Sequence, residues 1–139
     1  MKAKHGLLTL GLALLCAAVP AGAHHGFSSE YDEKKPVEFK GVVTKLEWTN
    51  PHARFYIDVK DANGNVTNWN FELASLNSLR RNGWTQFSLK VGEVVTAKGY
   101  AALSGVPMAN ANSVTLADGR SLFAATNAPS VQQSPTAQP

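Results

Sequence analysis

The stretch from Trp48 to Asp61 constrains the fold most, because a turn that carries a histidine leads directly into the most regular alternation of the chain. From Arg54 onward, apolar side chains occupy every second position with polar side chains between them: Phe55, Ile57 and Val59 against Arg54, Tyr56, Asp58 and Lys60. This period of two predicts a β-strand that is buried on one face. Asn50-Pro51 is a turn dipeptide whose proline lacks a backbone donor, so His52 is expected at the open end of the strand.

The remaining segments predict four more strands and one short helix. The predicted strands cover residues 37–48, 54–60, 66–73, 94–100 and 113–116, and residues 101–111 read as a polar loop. The apolar phase of the first strand changes around Gly41, which predicts a bulge or bend there. Asn63-Gly64 predicts a tight turn, and Ser75 and Gly83 are a plausible N-cap and stop for a helix over 75–82.

Three strands, a short helix and two further strands are the order of a small Greek-key barrel. The sequence therefore predicts an all-β fold, a five-stranded OB-like barrel with one short helix, with an open β-sandwich of the same strands as the alternative. The chain divides into a signal peptide (1–23), an N-terminal arm (24–35) anchored by Phe27 and Tyr31, the barrel domain (36–123) and a disordered tail (124–139).

The amino terminus predicts export to the periplasm or beyond. A basic start precedes an apolar run over residues 7–19, and Ala21-Gly22-Ala23 supplies the small residues that a signal peptidase reads. The run is shorter than the ~20 residues of a membrane span, so no span is expected in the mature form. Cleavage after Ala23 leaves 116 residues and removes Cys16, the one cysteine.

Charge argues against a nucleic-acid partner. Loss of Lys2 and Lys4 with the signal lowers the basic count from 13 to 11, against 10 acidic residues. The basic pairs Lys34-Lys35 and Arg80-Arg81 do not form the basic surface that phosphate backbones require.

The mature histidines suggest a metal site. After cleavage at Ala23, His24 offers its α-amine and its ring to one metal ion, and His25 or His52 could complete the set. Cleavage after Ala21 or Gly22 would instead give an amine, two amides and an imidazole, a square-planar set that suits Cu(II) or Ni(II). We therefore expect a binding module for a divalent metal, copper first. It is not expected to be an enzyme, since no nucleophile motif or carboxylate pair is evident.

The alternative is a barrel that binds a glycan, a peptide or a partner protein on its strand face. The outward residues Arg54, Tyr56 and Asp58 would form this ligand-binding surface, with Asn68 and Asn70 beside them. A surface ion pair between Arg54 and Asp58 is the ordinary interpretation of those two charges.

Several motifs also resemble a family of small exported bacterial proteins of unknown function. They are His24-His25-Gly26-Phe27, the Trp48-Thr49-Asn50-Pro51-His52 turn, Gly83-Trp84 followed by residues 88–93, and the closing segment 109–120. Members of that family commonly carry a serine where this chain has Gly26. The resemblance implies an exported protein and leaves its activity open.

Overall fold

Strands make up most of the computed structural model, which describes residues 26–125. In chain order the elements are α1 (Phe27–Glu30), β1 (Tyr31–Glu47), β2 (Arg54–Lys60), β3 (Val66–Glu72), α2 (Leu76–Arg81), β4 (Val94–Ala102), β5 (Met108–Thr115) and β6 (Ser121–Phe123). None of the described helices is long and apolar enough to cross a membrane.

The strands form one sheet that closes into a ring. Its order is β3-β2-β1-β4-β5-β6, and β3 also pairs with β5. The β3–β5 pairing is parallel and joins residues 70–72 to residues 108–110, whereas the other pairings are antiparallel. Five strands closed in this order, with α2 between β3 and β4, confirm the predicted all-β OB-like barrel; β6 is a short addition.

Strand β1 pairs with both β2 and β4, as its length suggested. Its bulge, however, does not lie where the sequence predicted it. The register of β1 against β2 shifts between Val43 and Lys45, whereas the prediction centred on Gly41. Gly41 has a different role, since a Cβ atom there would lie 2.6 Å from the carbonyl oxygen of Asp58. The glycine therefore allows two strands to approach closely, and the extra residue is accommodated farther along.

The barrel interior is filled by the apolar face predicted for β2 and its partners. Phe55 and Phe71 are cross-strand partners, and their rings stack with centroids 5.2 Å apart. Trp84 is fully buried, and its indole Nε1 donates a 2.7 Å hydrogen bond to the carbonyl oxygen of Phe123. Leu79 of α2 belongs to the same core. Trp48 and Trp69 are partly buried against this core, so the tryptophans contribute mainly to packing.

Three predicted boundaries differ from the structure. Strand β5 begins at Met108, within the segment 101–111 predicted as a loop. Its inward residues Ala109 and Ala111 are small, so they gave no apolar signal. The arm is partly regular, since α1 and the first residues of β1 occupy the range predicted as extended arm. Ala124 and Ala125, assigned to the tail, are buried, while 126–139 and the signal peptide lie outside the described residues.

Candidate functional site

A buried carboxylate on the outer side of the sheet organises the site. Glu72 is the last residue of β3 and alternates with the inward Phe71, so it should face solvent, yet its side chain is only 6% exposed. Tyr31, at the start of β1, covers it and is itself 2% exposed. We call Tyr31, His52, Arg54 and Glu72 the Glu72 cluster.

Both oxygens of the Glu72 carboxylate accept hydrogen bonds. Oε2 accepts from Arg54 Nη2 at 2.6 Å and from the Tyr31 hydroxyl at 3.0 Å. Oε1 lies 2.9 Å from His52 Nδ1. Because an ionised carboxylate can only accept, Nδ1 carries the proton of this bond. Three donors therefore hold the carboxylate in one orientation, which offsets the cost of burying its charge.

His52 is held in place by the turn that precedes β2. The Asn50 side-chain oxygen accepts a 3.1 Å hydrogen bond from the backbone N–H of Leu76, the first residue of α2. On the other side of His52, Ala53 exchanges backbone hydrogen bonds with Leu73 and Ala74 at the end of β3. The turn is thus fixed to both a helix and a strand.

The ring of His52 is left with one free nitrogen. Its side chain is 43% exposed, and Nε2 makes no hydrogen bond within residues 26–125. A histidine whose Nδ1–H is bonded to a carboxylate presents Nε2 as an acceptor of fixed direction, the arrangement that commonly supports a metal ligand. The cluster can therefore bind a cation, or accept a proton, at this nitrogen.

Burial changes the acidity of Tyr31. Desolvation of the hydroxyl, with the adjacent Glu72 charge and the hydrogen bond to it, raises the pKa of Tyr31 far above its usual value. The positive charge of Arg54 acts weakly in the opposite direction. Tyr31 is therefore a neutral donor throughout the ordinary pH range, and its bond to Glu72 persists there.

The structure describes one of the three histidines proposed as metal ligands. His24 and His25 lie outside the described residues, directly before Gly26. Between residues 26 and 125, no group of three or more His, Cys, Asp or Glu side chains is arranged to hold a metal ion. His52 would therefore need ligands from elsewhere.

The three residues proposed for ligand binding on the strand face contact other side chains of the barrel. Arg54 bonds Glu72, so the expected ion pair between Arg54 and Asp58 was wrong. Tyr56 donates a 3.2 Å hydrogen bond to Glu47 and lies beneath the ammonium group of Lys45. Asp58 accepts a 2.8 Å hydrogen bond from Asn68.

Sequence reasoning missed Glu72 and Tyr31 as members of the site. Glu72 was assigned to the outer face of β3, and Tyr31 was described only as an anchor of the arm. Their separation of 41 positions along the chain concealed their hydrogen bond. A sequence signal did exist, because Glu72 and Arg54 would be direct neighbours on paired strands once the Asn63-Gly64 turn fixed the register.

Two surface grooves in the described part of the chain lie away from His52. One, of about 470 Å³, is bordered by Phe87, Lys90, Glu93, Asp118 and Arg120. The other, of about 400 Å³, lies beside Tyr100. Neither includes a member of the Glu72 cluster among its lining residues.

Comparison with known proteins places the chain in a family without assigning it an activity. No curated protein and no solved structure matches it. The model of one family, described as a family of unknown function (DUF6152), matches residues 12–110. That match covers well over half of the 139 residues and includes the Glu72 cluster. The chain therefore belongs to the DUF6152 family of unknown function.

Proposed function

We propose that this protein is a non-enzymatic copper-binding module that holds Cu(II) through His24, His25 and His52. One observation carries the proposal: Glu72 holds the half-exposed ring of His52 by Nδ1 and leaves Nε2 without a hydrogen bond within residues 26–125. Carboxylates that orient metal-bound histidines raise the basicity of the ring and fix its direction, and their loss costs ~10–100-fold in metal affinity.

The remaining ligands would come from the arm that covers Glu72. His25 directly precedes Gly26, the first described residue. The described part of the arm is attached to the same carboxylate as His52, through Tyr31. With a free α-amine at His24, the nitrogen donors would be one amine and up to three imidazoles, a set that favours copper over the other common divalent ions.

The test is a titration of Cu(II) into protein that begins at His24. We expect His52→Ala to weaken binding at least about tenfold, because it removes one ligand from a chelate. Tyr56→Ala is a matched control, since Tyr56 lies on the outer face of β2, two residues beyond Arg54, but contacts Glu47 instead of Glu72. Affinity no higher than that of the isolated peptide His24–Glu30 would overturn the proposal.

A second titration tests the contribution of the His24 α-amine to copper binding separately from that of the imidazole rings. A variant with one extra glycine before His24 keeps all three imidazoles and displaces the α-amine. We expect it to bind Cu(II) more weakly and with a changed visible absorption band. Unchanged binding and spectrum would remove the amine from the ligand set.

We also propose that the protein works in the periplasm after cleavage between Ala23 and His24. Ala21 and Ala23 both satisfy the preference of signal peptidases for small residues. Peptide mapping of exported protein should give an amino-terminal peptide that starts His24-His25-Gly26-Phe27. A start beyond His25 would eliminate both arm histidines and with them the proposed site.

Binding of a glycan, peptide or partner protein on the strand face has less support. Arg54, Tyr56 and Asp58 all make hydrogen bonds within the barrel, so a ligand would have to replace those bonds. The Tyr56→Ala variant tests this function too, since loss of a bound partner together with unchanged copper affinity would favour it.

A further inference from the structure

We propose that Met108 is a modification site: an oxidant of the peroxide class converts its thioether to the sulfoxide, and Arg54 donates a hydrogen bond to the added oxygen. Met108 is the first residue of β5 and the one methionine within residues 26–125. Its side chain is partly exposed and contacts Arg54 of the Glu72 cluster. The site is separate from the proposed copper function, because Met108 is not among the copper ligands.

The contact between Arg54 and Met108 leaves one guanidinium nitrogen without a good acceptor. Arg54 Nη1 donates to the sulfur atom Sδ at 3.7 Å, and a thioether accepts hydrogen bonds only weakly. The other terminal nitrogen, Nη2, donates a 2.6 Å hydrogen bond to Glu72 Oε2. Because the two nitrogens have separate partners, a stronger acceptor at Met108 would not compete with Glu72.

The chemical step needs only the thioether and hydrogen peroxide. A lone pair of Sδ attacks one peroxide oxygen, so that an S–O bond forms and the O–O bond breaks. The departing hydroxide takes the proton of the attacked oxygen and leaves as water. Met108 loses two electrons and the peroxide gains them, and reductases can return the resulting sulfoxide to methionine.

The added oxygen should improve the bonding of Arg54. A sulfoxide usually disrupts its surroundings, because it places a polar group among apolar ones. Here an oxygen bonded to Sδ on the side of Arg54 would lie closer to Nη1 than the sulfur does, and it can reach the ~2.7–3.2 Å of an N–H···O hydrogen bond. The donor is charged, so this bond is stronger than one between neutral groups. We therefore expect the barrel to tolerate the sulfoxide.

Asn70 is a second polar group beside Met108, and its side-chain oxygen lacks a partner. Asn70 lies opposite Met108 in the β3–β5 pairing, and its buried Oδ1 accepts no hydrogen bond within the described residues. Rotation of the amide would exchange this oxygen for an NH2 group with two donors. A sulfoxide at Met108 can therefore receive hydrogen bonds from Arg54 on β2 and from Asn70 on β3.

The test oxidises the purified protein with hydrogen peroxide, in the presence of a chelator so that no bound metal takes part. Peptide mass spectrometry should locate one added oxygen at Met108. Urea unfolding then compares the oxidised with the reduced form, in the unaltered protein and in Arg54→Lys. A lysine keeps a positive charge for Glu72 but offers no second nitrogen to Met108.

We expect oxidation to leave the unfolding equilibrium constant of the unaltered protein nearly unchanged or lower, because the new hydrogen bond offsets the added polarity. In Arg54→Lys the sulfoxide lacks this donor, and oxidation should raise the constant about tenfold, the equivalent of one hydrogen bond to a charged group. A rise in the unaltered protein that equals or exceeds the rise in Arg54→Lys would overturn the proposal. Resistance of Met108 to peroxide that fully oxidises free methionine would overturn it as well.

Met108→Gln and Met108→Leu provide a second measurement that does not require Arg54→Lys to fold. The carbonyl oxygen of glutamine stands at the same position along the side chain as the sulfoxide oxygen, whereas leucine has no acceptor. Met108→Gln should therefore be at least as stable in urea as Met108→Leu. Leu76→Gln is the control, because Leu76 is also partly buried but packs against the apolar core, and its urea midpoint should fall. A lower midpoint for Met108→Gln than for Met108→Leu would refute the role of Arg54.

Discussion

Replacement of Glu72 by glutamine is the most direct test of the buried cluster. The glutamine amide has nearly the same shape as the carboxylate but carries no charge and only one accepting oxygen. If that oxygen faces Arg54 and Tyr31, the amide nitrogen faces Nδ1 of His52, and a bond between them requires the ring to move its proton to Nε2, which removes the free acceptor of the ring. If the amide is reversed, two donors at Oε2 lose their acceptor.

The expected loss in the free energy of unfolding is about 2–3 kcal/mol. A hydrogen bond to a charged group contributes roughly 1.5–3 kcal/mol, and the variant weakens the bonds from Arg54 and Tyr31 and makes the third depend on a change of tautomer at His52. The loss stays below the ~3–5 kcal/mol typical of a broken, fully buried ion pair because Arg54 is 31% exposed and keeps part of its hydration. Equilibrium unfolding in urea measures the difference as a lower midpoint with an unchanged slope.

Glu47→Gln provides a matched control. Glu47 also accepts hydrogen bonds from a tyrosine hydroxyl and a cationic side chain, Tyr56 and Lys45, but it lies at the surface with 31% of its side chain exposed. Its lowered pKa, caused first by the hydrogen bond from Lys45, reflects a pair that water and salt screen. Equal losses in the two variants would refute the idea that burial makes the Glu72 cluster important for stability.

Two further perturbations follow from the structure. The pKa of Tyr31 is raised in the folded state, so its contribution to the free energy of unfolding should be fully present below pH ~10. Above that pH the tyrosine ionises in the unfolded chain first, and the free energy of unfolding should fall by up to about 1.4 kcal/mol per pH unit. Tyr31→Phe should reduce this alkaline slope in urea titrations, and an identical slope would contradict the assignment. Gly99→Ala should lower the free energy of unfolding by at least about 2 kcal/mol or prevent folding, because its Cβ would lie 1.9 Å from the carbonyl oxygen of Asn110. Gly26→Ala is its control: the added Cβ would lie 4.0 Å from the Ser28 hydroxyl oxygen and should leave the urea midpoint nearly unchanged.

The sequence predicted the fold wherever side chains alternate strongly in size and polarity. Phe55 and Ile57 on β2, Phe71 on β3 and the Asn63-Gly64 turn were sufficient to define the hairpin and its inward face. β5 was less evident because its inward residues are alanines, which pack where β4 and β5 approach closely at Gly99.

The candidate site was harder to predict because Tyr31, which covers Glu72, meets it only through the closed fold. His52 was identified from the turn that presents it. Glu72 was assigned to the correct face, but its burial depends on the arm, which reaches it by crossing the end of the barrel. The partner of Arg54 was misassigned because Asp58 is nearer along the strand, while Glu72 lies directly across on β3.

The parallel pairing of β3 with β5 has a consequence for how the chain folds. It joins residues 70–72 to residues 108–110, so it forms only after a long loop has closed, a step that slows folding and comes late. Glu72 lies within this pairing, opposite Asn110. The hairpin contacts of Glu72 with His52 and Arg54 can form before this step, whereas the bond from Tyr31 that covers the carboxylate needs β1 and β3 to meet, so a chain that is still folding would hold His52 on an exposed and less firmly fixed carboxylate.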